Sequence, residues 1–240
     1  MSKRKIKLVM PMAGDGSRFA KVGVNTPKPM IEVEGKPMFQ YAVEQIGIEF
    51  DEHIFIVRKE HNIADKVREI YPDAHIIELD HKTEGAACTV LLAREHFKDG
   101  SSMFVSNCDQ HTEWDETIAQ IIIHQPTVDG LIATFEVPDK DPKWSYAKTD
   151  RWHNVLEVAE KNPISTTATT GWYFWKDGSM FVKSAYDMMD ADDRFNNEFY
   201  LAPVFNYSIK RNATIKIMEV DEMHGLGTPE DLEAWENRDK

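Results

Sequence analysis

Two glycines, an arginine and a lysine near the N-terminus carry the strongest chemical signal in this 240-residue chain. The run Leu8-Val9-Met10-Pro11-Met12-Ala13-Gly14-Asp15-Gly16-Ser17-Arg18-Phe19 is followed by Thr26-Pro27-Lys28-Pro29-Met30. Gly14 and Gly16 lack a Cβ, so the backbone there can take positive φ and come close to a ligand. Successive N–H groups in such a turn converge on one concavity that accepts phosphate oxygens. Ser17 adds a hydroxyl donor, and Arg18 adds a planar fork of donors that suits a phosphate. Lys28 stands between two prolines on a stiffened, extended segment, which fixes where its ammonium is delivered. The chemistry this equipment suits is holding a triphosphate and bringing two cations to it.

Rival phosphate motifs fit less well. The dinucleotide fingerprint needs a third glycine where Phe19 stands, although Glu32 and Glu34 supply a downstream acid. A Walker loop needs four residues between its glycines and then Lys-Ser/Thr, and that pattern is absent. A plain glycine-rich turn with a surface arginine explains neither the strand before it nor the Pro-Lys-Pro behind it.

Other residues can join this chemistry. Asn107-Cys108-Asp109-Gln110 follows an apolar stretch directly. An aspartate at a strand's carboxyl end beside a triphosphate is a natural Mg²⁺ ligand, and its rival role is the N-cap of the next helix. Glu160-Lys161-Asn162-Pro163 puts an acid and a base on a turn, where a plain exposed ion pair is the competing reading. Thr83-Glu84-Gly85-Ala86-Ala87 lets a ring or backbone approach at Gly85, or simply starts a helix.

These residues sit on an alternating pattern. Residues 5–12 read as a buried strand ended by glycine, and 37–46 as a helix with proline in its first turn. A strand at 53–57, a helix at 61–71, a strand at 74–79, a helix at 86–96 and a strand at 102–106 follow. Strands alternating with helices of this length mean βαβ units and a parallel sheet. The half ending near Gln125 is thus a nucleotide-binding type of module. The second half is β-rich over 130–137, 145–149, 154–159 and 170–175. Helices at 179–189 and 199–210 come next, then a strand at 214–219 and a helix starting at Thr228-Pro229-Glu230-Asp231. The expectation is one α/β domain over 1–240, with a nucleotide half (1–125) and an acceptor-phosphate half (126–240) that extends the same sheet.

Composition bounds the function. With 42% apolar and 29% charged residues, the chain reads as a soluble globular protein with a full core. No stretch approaches the roughly 20 apolar residues of a membrane span. Met1-Ser2-Lys3-Arg4-Lys5 is basic, but the apolar run behind it leads into the glycine loop, so it reads as a first strand rather than a signal peptide. The net charge of −13 argues against a nucleic-acid partner. An acidic triphosphate binder must concentrate positive charge locally, here as Arg18, Lys28 and Mg²⁺. Cys88 and Cys108 lack metal spacing and read as reduced core thiols in a cytoplasmic protein. The nine histidines form no metal motif and read as surface or core residues.

In this order the motifs resemble those of the sugar-phosphate nucleotidyltransferases, the nucleotide-sugar pyrophosphorylases. The resemblance runs nearly end to end, through Gly14-Asp15-Gly16-Ser17-Arg18-Phe19, Pro27-Lys28, Gly85-Ala86-Ala87, Asn107-Cys108-Asp109, Glu160-Lys161, Thr170-Gly171 and Gly227-Thr228-Pro229-Glu230-Asp231-Leu232. It implies a Rossmann-like α/β domain with a mixed, mainly parallel sheet flanked by helices. The implied reaction is Mg²⁺-dependent and joins an NTP to a phosphorylated small molecule, a sugar 1-phosphate foremost, releasing pyrophosphate. The product would be an activated metabolite for a surface polysaccharide or related glycoconjugate, and a homo-oligomer is compatible with the reading.

By resemblance, Ala13, Gly14, Gly16, Ser17, Arg18, Gly85 and Asn107 would hold the nucleotide, with Arg18 facing the departing pyrophosphate. Lys28 would bridge the α-phosphate and the attacking phosphate, and Asp109 would carry Mg²⁺. Ser145, Glu160, Lys161, Gly171 and Glu198 would line the second substrate. The acceptor phosphate is already an ionised nucleophile, so catalysis reduces to in-line positioning and charge neutralisation.

The chain departs from the family pattern at three places. Many relatives carry a metal-binding aspartate where Gly225 stands, which leaves Asp221, Glu222 or water to complete the shell. Trp144-Ser145 replaces a frequent Tyr-Gly pair and leaves the sugar open. Lys82-Thr83-Glu84 replaces residues that precede the base-site glycine, so base identity does not carry over. One alternative is a cytidylyltransferase for a non-sugar phosphate, such as a phosphocholine-like or phospho-amino-acid acceptor, with Trp144, Trp172 and Tyr173 as an aromatic wall. Another, from a different class, is a non-catalytic nucleotide-sugar sensor. The missing late aspartate favours the sensor, and Arg18, Lys28 and Asp109 together oppose it.

Overall fold

A computed structural model describes residues 4–238; of the basic start, residues 1–3 lie outside the described residues. The first half holds β1 (Ile6–Met12), α1 (Ser17–Lys21), a small ribbon of β2 (Glu32–Val33) and β3 (Lys36–Pro37), and α2 (Met38–Glu44). Then come β4 (Glu52–Arg58), α3 (Ala64–Ile70), β5 (His75–Leu79), α4 (Ala86–Leu91), β6 (Ser102–Ser106), β7 (Gln110–Glu113) and α5 (Glu116–His124). The second half holds β8 (Gly130–Glu136), β9 (Ser145–Thr149), β10 (Val155–Glu160), β11 (Thr167–Trp175), α6 (Gly178–Asp190) and α7 (Val204–Lys210). It closes with β12 (Ile215–Glu219), β13 (Glu222–Gly225) and α8 (Pro229–Glu236).

Strands of both halves share one nine-stranded sheet. β1 lies at its centre, parallel to β4 and β6, and β4 carries β5 in parallel. Both faces of β1 are covered: Leu8 and Met10 join one core cluster and Val9 the other. That is why the strand reads as a continuous apolar run rather than an alternating one. Helices α4, α6 and α7 cover one face, and α2, α3 and α5 the other. Trp175 stacks on Phe205 with ring centroids 4.1 Å apart.

The antiparallel part of the sheet opens the cleft. Ala168 of β11 pairs with Phe135 of β8 on one edge and with Tyr146 of β9 on the other. Tyr173 pairs with Ile132 of β8 and with Val105 of β6. Hence β6 and β9 meet the same edge of β11 at different heights, and on that edge Thr169–Gly171 lies between them unpaired. The β8 register also shifts between Thr169 and Tyr173, where Gly171 holds φ 106°. An extra loop of strand there is a bulge, which bends β11 and re-aims its side chains.

Several expected elements change at their ends. The helix expected over 86–96 stops at Leu91 and resumes as a 3₁₀ turn at Arg94–Phe97. The helix expected from 199 starts only at Val204. Before it, Phe199 N–H donates to the Glu84 carbonyl and Ala87 N–H donates to the Phe199 carbonyl, which ties that backbone elsewhere. The ribbon of β13 on β7 has no counterpart in the periodicity. Among the described residues, no helix is long and apolar enough to cross a membrane. Cys88 and Cys108 are free thiols.

Candidate active site

The cleft lies at the carboxyl ends of β1 and β6, where ligands bind in open α/β sheets. After β1, Gly16 takes φ +60° and leads into α1, with Ser17 exposed at its first position. Positive φ was expected at both glycines, and only Gly16 adopts it. A Cβ on Gly14 would meet nothing within 4 Å, so Gly14 borders open cavity instead. Asp15 is held outward by Arg58 at 3.2 Å and Lys82 at 3.4 Å.

Lys28 differs slightly from expectation. Pro27 is extended, but Lys28 itself opens a 3₁₀ turn over Lys28–Met30 that rests on the buried Pro29. Its ammonium donates to Asp109 Oδ2 at 2.8 Å, and both side chains are only about a fifth to a quarter exposed. Burial opposes the Lys28 charge, yet the Asp109 carboxylate outweighs it and lifts the ammonium above the usual lysine range. Burial likewise pushes the Asp109 carboxyl up, but Lys28 draws it below the usual carboxylate range. Both groups are therefore charged at neutral pH. The rival role for Asp109 is filled by Asp115, whose side chain caps α5 by accepting from Ile118 N–H.

A cavity of about 340 Å³ is lined by Ala13, Gly14, Lys28, Lys82, Gly85, Asn107, Asp109 and Glu198. Glu198 thus stands opposite Lys82, 3.5 Å from its ammonium, on the expected nucleotide side rather than with the acceptor residues. Gly85 takes φ +130°, and a Cβ there would lie 2.4 Å from the Phe199 carbonyl oxygen. Its glycine requirement comes from that backbone crossing, while its own surface still faces the cavity.

A second cavity of about 350 Å³ is lined by Arg18, Asn107, Asp109, Lys143, Ser145, Glu160, Lys161, Gly171 and Tyr200. Ser145 and Glu160 face each other across the β9–β10 pair, and the Ser145 hydroxyl donates to the Glu160 carboxylate. Burial pushes the Glu160 carboxyl upward against the pull of Ser145 and Lys161. Lys161, at φ 51°, turns off the end of β10 and donates to the Tyr200 hydroxyl at 2.9 Å. Such a backbone is costly for a non-glycine residue and recurs where a side chain must be aimed. At Gly171 a Cβ would stand 2.3 Å from the Asn107 amide nitrogen and 2.6 Å from Gln110 Oε1. The bulge glycine therefore lets Asn107 pack against β11. Asn107 and Asp109 line both cavities, so the two spaces meet at the end of β6.

Arg18 is exposed and forms no side-chain hydrogen bond or ion pair with the described residues. It borders the second cavity and a third, of about 680 Å³, with Asp109, Gly225 and Asp231. Asp221 is not brought to Asp109; it lines a different cavity with Asp115 and Lys216. Glu222 is exposed on β13. Asp231 lines the third cavity together with Asp109, and its Oδ2 lies 3.6 Å from where a Cβ on Gly225 would be. In the sequence Asp231 stands as a helix-start acid, and it is one: Thr228 caps α8 by accepting from Asp231 N–H. Lys143 and Tyr200 carry no site signal in the sequence, and Lys82 appears there only as a departure beside the base-site glycine. Lys82 adjoins the Gly85 motif, whereas nothing local marks Tyr200. Asn107, Asp109 and Asp231 offer oxygen donors, the set a hard cation such as Mg²⁺ takes.

The fold and this double cavity at the end of β6 define a nucleotide-diphospho-sugar transferase architecture. The family model described as nucleotidyl transferase matches residues 8–235, and the chain belongs to that family. The solved nucleoside-diphosphate-sugar pyrophosphorylase of Vibrio cholerae RC9 is 29% identical, with a TM-score of 0.82 over 95% of this chain and 98% of that one. The UTP–glucose-1-phosphate uridylyltransferase AglF of Haloferax volcanii is 23% identical over 97% of this chain and 96% of that protein. The bifunctional protein GlmU of Methanocaldococcus jannaschii is 25% identical over 67% of this chain and 38% of that protein. The first curated relatives are longer: the matches span 38%, 30% and 52% of their lengths. The family and fold drawn from the motifs are borne out.

Proposed function

We propose that this chain transfers a nucleotidyl group from an NTP to a sugar 1-phosphate, releasing pyrophosphate. The observation that carries the reading is the meeting of two cavities at Asn107 and Asp109, with the Lys28 ammonium 2.8 Å from Asp109. The NTP lies along Gly14, Lys28 and Gly85, and the acceptor phosphate enters from Lys161. An acceptor oxygen forms a bond to the α-phosphorus as the bond to the bridging oxygen breaks, and that oxygen leaves with the electron pair on pyrophosphate.

No base is required, because the attacking phosphate is already ionised. What the residues supply is alignment of two anions that repel each other and relief of their charge. Lys28 exchanges Asp109 for the phosphates, and Arg18, with no partner to give up among the described residues, meets the departing pyrophosphate. Asp109 and Asp231 would hold Mg²⁺, which would supply further neutralisation of phosphate charge. The full set of cations at one junction argues for turnover rather than sensing alone.

The acceptor pocket favours a sugar phosphate over a cationic head group. Trp172 is 1% exposed and packs in the core, and Tyr173 is buried with its hydroxyl bonded to Thr169. Of the three aromatics considered, Trp144 alone stands half-buried beside the cavity, and Lys143 already lies 4.9 Å over its ring. A second cation on that face repels a quaternary ammonium and attracts a phosphate.

Pyrophosphate release from each common NTP against sugar 1-phosphates and amino-alcohol phosphates tests this. Release that requires both an NTP and a sugar 1-phosphate is expected. Release only with amino-alcohol phosphates would overturn the acceptor, and tight nucleotide-sugar binding without turnover would overturn the enzyme.

A further inference from the structure

The β7–β13 ribbon stands beside the cleft and carries side chains that nucleotidyl transfer does not use. His111 pairs directly with His224, and Glu113 with Glu222. Residues two apart on a strand share a face, so two imidazoles and two carboxylates crowd one side of a short ribbon. Like charges placed directly opposite in an antiparallel pair repel. Neither glutamate has a lysine or arginine ion-pair partner among the described residues.

His111 adds an independent sign. It is 5% exposed, its Nδ1 is 2.9 Å from the Tyr41 hydroxyl, and its ring lies 4.1 Å from that of Trp235. Its Nε2 is buried and makes no well-aligned hydrogen bond, although Glu113 Oε1 lies 3.2 Å away. A buried nitrogen that faces a carboxylate without bonding it well leaves room for a cation between the two. In the tautomer that carries its proton on Nδ1, His111 donates to Tyr41 and turns the Nε2 lone pair toward the carboxylates, the arrangement that orients a metal-binding histidine.

The spacing fits an ion. His111 Nε2 and one oxygen each from Glu113 and Glu222 all lie within 4.8 Å of one another. His111 Nε2 is 3.2 Å from Glu113 Oε1, and His224 Nε2 is 3.4 Å from Glu222 Oε2. Four ligands at tetrahedral zinc bond lengths stand about 3.3 Å apart. Imidazole donors also select the zinc class over Mg²⁺.

We propose that this ribbon is a zinc-class divalent cation site, with His111, Glu113 and Glu222 as ligands and a fourth position left to solvent. It is separate from the oxygen-only set at Asp109. A bound ion ties β13 to β7 immediately before Leu226, whose N–H donates to the Asp109 carbonyl at 2.8 Å. Zinc therefore stiffens the wall behind the catalytic aspartate.

Zinc titration of the full chain by calorimetry, in excess Mg²⁺, tests the proposal, with Co²⁺ absorption as a second readout. Wild type is expected to take up one equivalent, to melt higher with zinc, and to give tetrahedral Co²⁺ bands. The E113Q/E222Q variant loses only exposed carboxylates, so it folds and, without zinc, melts at least as high as wild type. Its zinc affinity is expected to fall by more than about tenfold, and its Co²⁺ bands to vanish. Asp109→Asn is expected to keep both. Failure of wild type to bind stoichiometric zinc overturns the site, as does unchanged affinity in E113Q/E222Q. Loss of binding in Asp109→Asn with retention in E113Q/E222Q places the zinc in the cleft and overturns it equally.

Discussion

The proposed nucleotide side and the proposed acceptor side of the cleft are assembled by different means. On the nucleotide side, Gly14, Gly16 and Asp109 follow directly from the ends of the parallel strands β1 and β6. On the acceptor side, Glu160 is set by its pairing with Ser145, Lys161 by a positive-φ step, and Gly171 by a bulge. The first side places charge by local backbone geometry. The second places shape and hydrogen bonds by pairings between distant segments. Charge handling is therefore expected to be the sturdier property of this scaffold and acceptor choice the more changeable one.

The largest expected effect lies on the nucleotide side. Lys28→Ala should lower kcat by about 100- to 1,000-fold, because a preorganised cation aimed at developing phosphate charge is lost. Steady-state pyrophosphate release measures it, and a change confined to KM would show that Lys28 only binds. Next comes Gly85→Ala, which forces a Cβ against the Phe199 backbone at positive φ. It should destabilise the fold by about 1–3 kcal/mol, read as a lower urea midpoint. An unchanged midpoint would show that the crossing yields freely.

Lys161→Ala should raise the acceptor KM by about tenfold, the loss of one charge-assisted contact of about 1.5 kcal/mol, and leave the NTP KM unmoved. A matching rise for both substrates would erase the division between the two sides. The smallest effect separates the two acids by pH. Asp109 is depressed, so its contribution to stability holds above the unfolded carboxyl range and is lost as pH falls through its folded pKa. Glu160 is raised, so the folded state keeps a proton longer than the unfolded one. Its stability contribution therefore falls as pH climbs from the ordinary glutamate range through the raised value. Glu160→Gln should remove that fall in urea midpoints measured across the acidic range, and Asp109→Asn should not.

The same contrast explains what the sequence reveals. The strand, glycine loop and Lys28 are legible because each depends on residues a few positions apart. Asp109 is legible because it ends a strand beside that loop. Tyr200 reaches Lys161 only because Phe199 is pinned on Glu84 and Ala87, a contact no local pattern records. The β7–β13 ribbon is hidden for a similar reason: four-residue strands carry too few alternations to stand out from loops. Asp231 was legible as a helix-start acid, but its approach to the position of Gly225 arises from how α8 returns to the cleft. Glu198 was seen as a candidate and lies across the junction from its expected partners, since its segment crosses beside Gly85 on the way to α7.

The central claim is that Lys28 leaves Asp109 to engage phosphates. A crystal structure with an NTP analogue, Mg²⁺ and a sugar 1-phosphate tests it most directly. The account predicts the Lys28 ammonium within hydrogen-bond reach of the α-phosphate and beyond it from Asp109. A Lys28–Asp109 pair still at 2.8 Å, with the triphosphate bound, would contradict it.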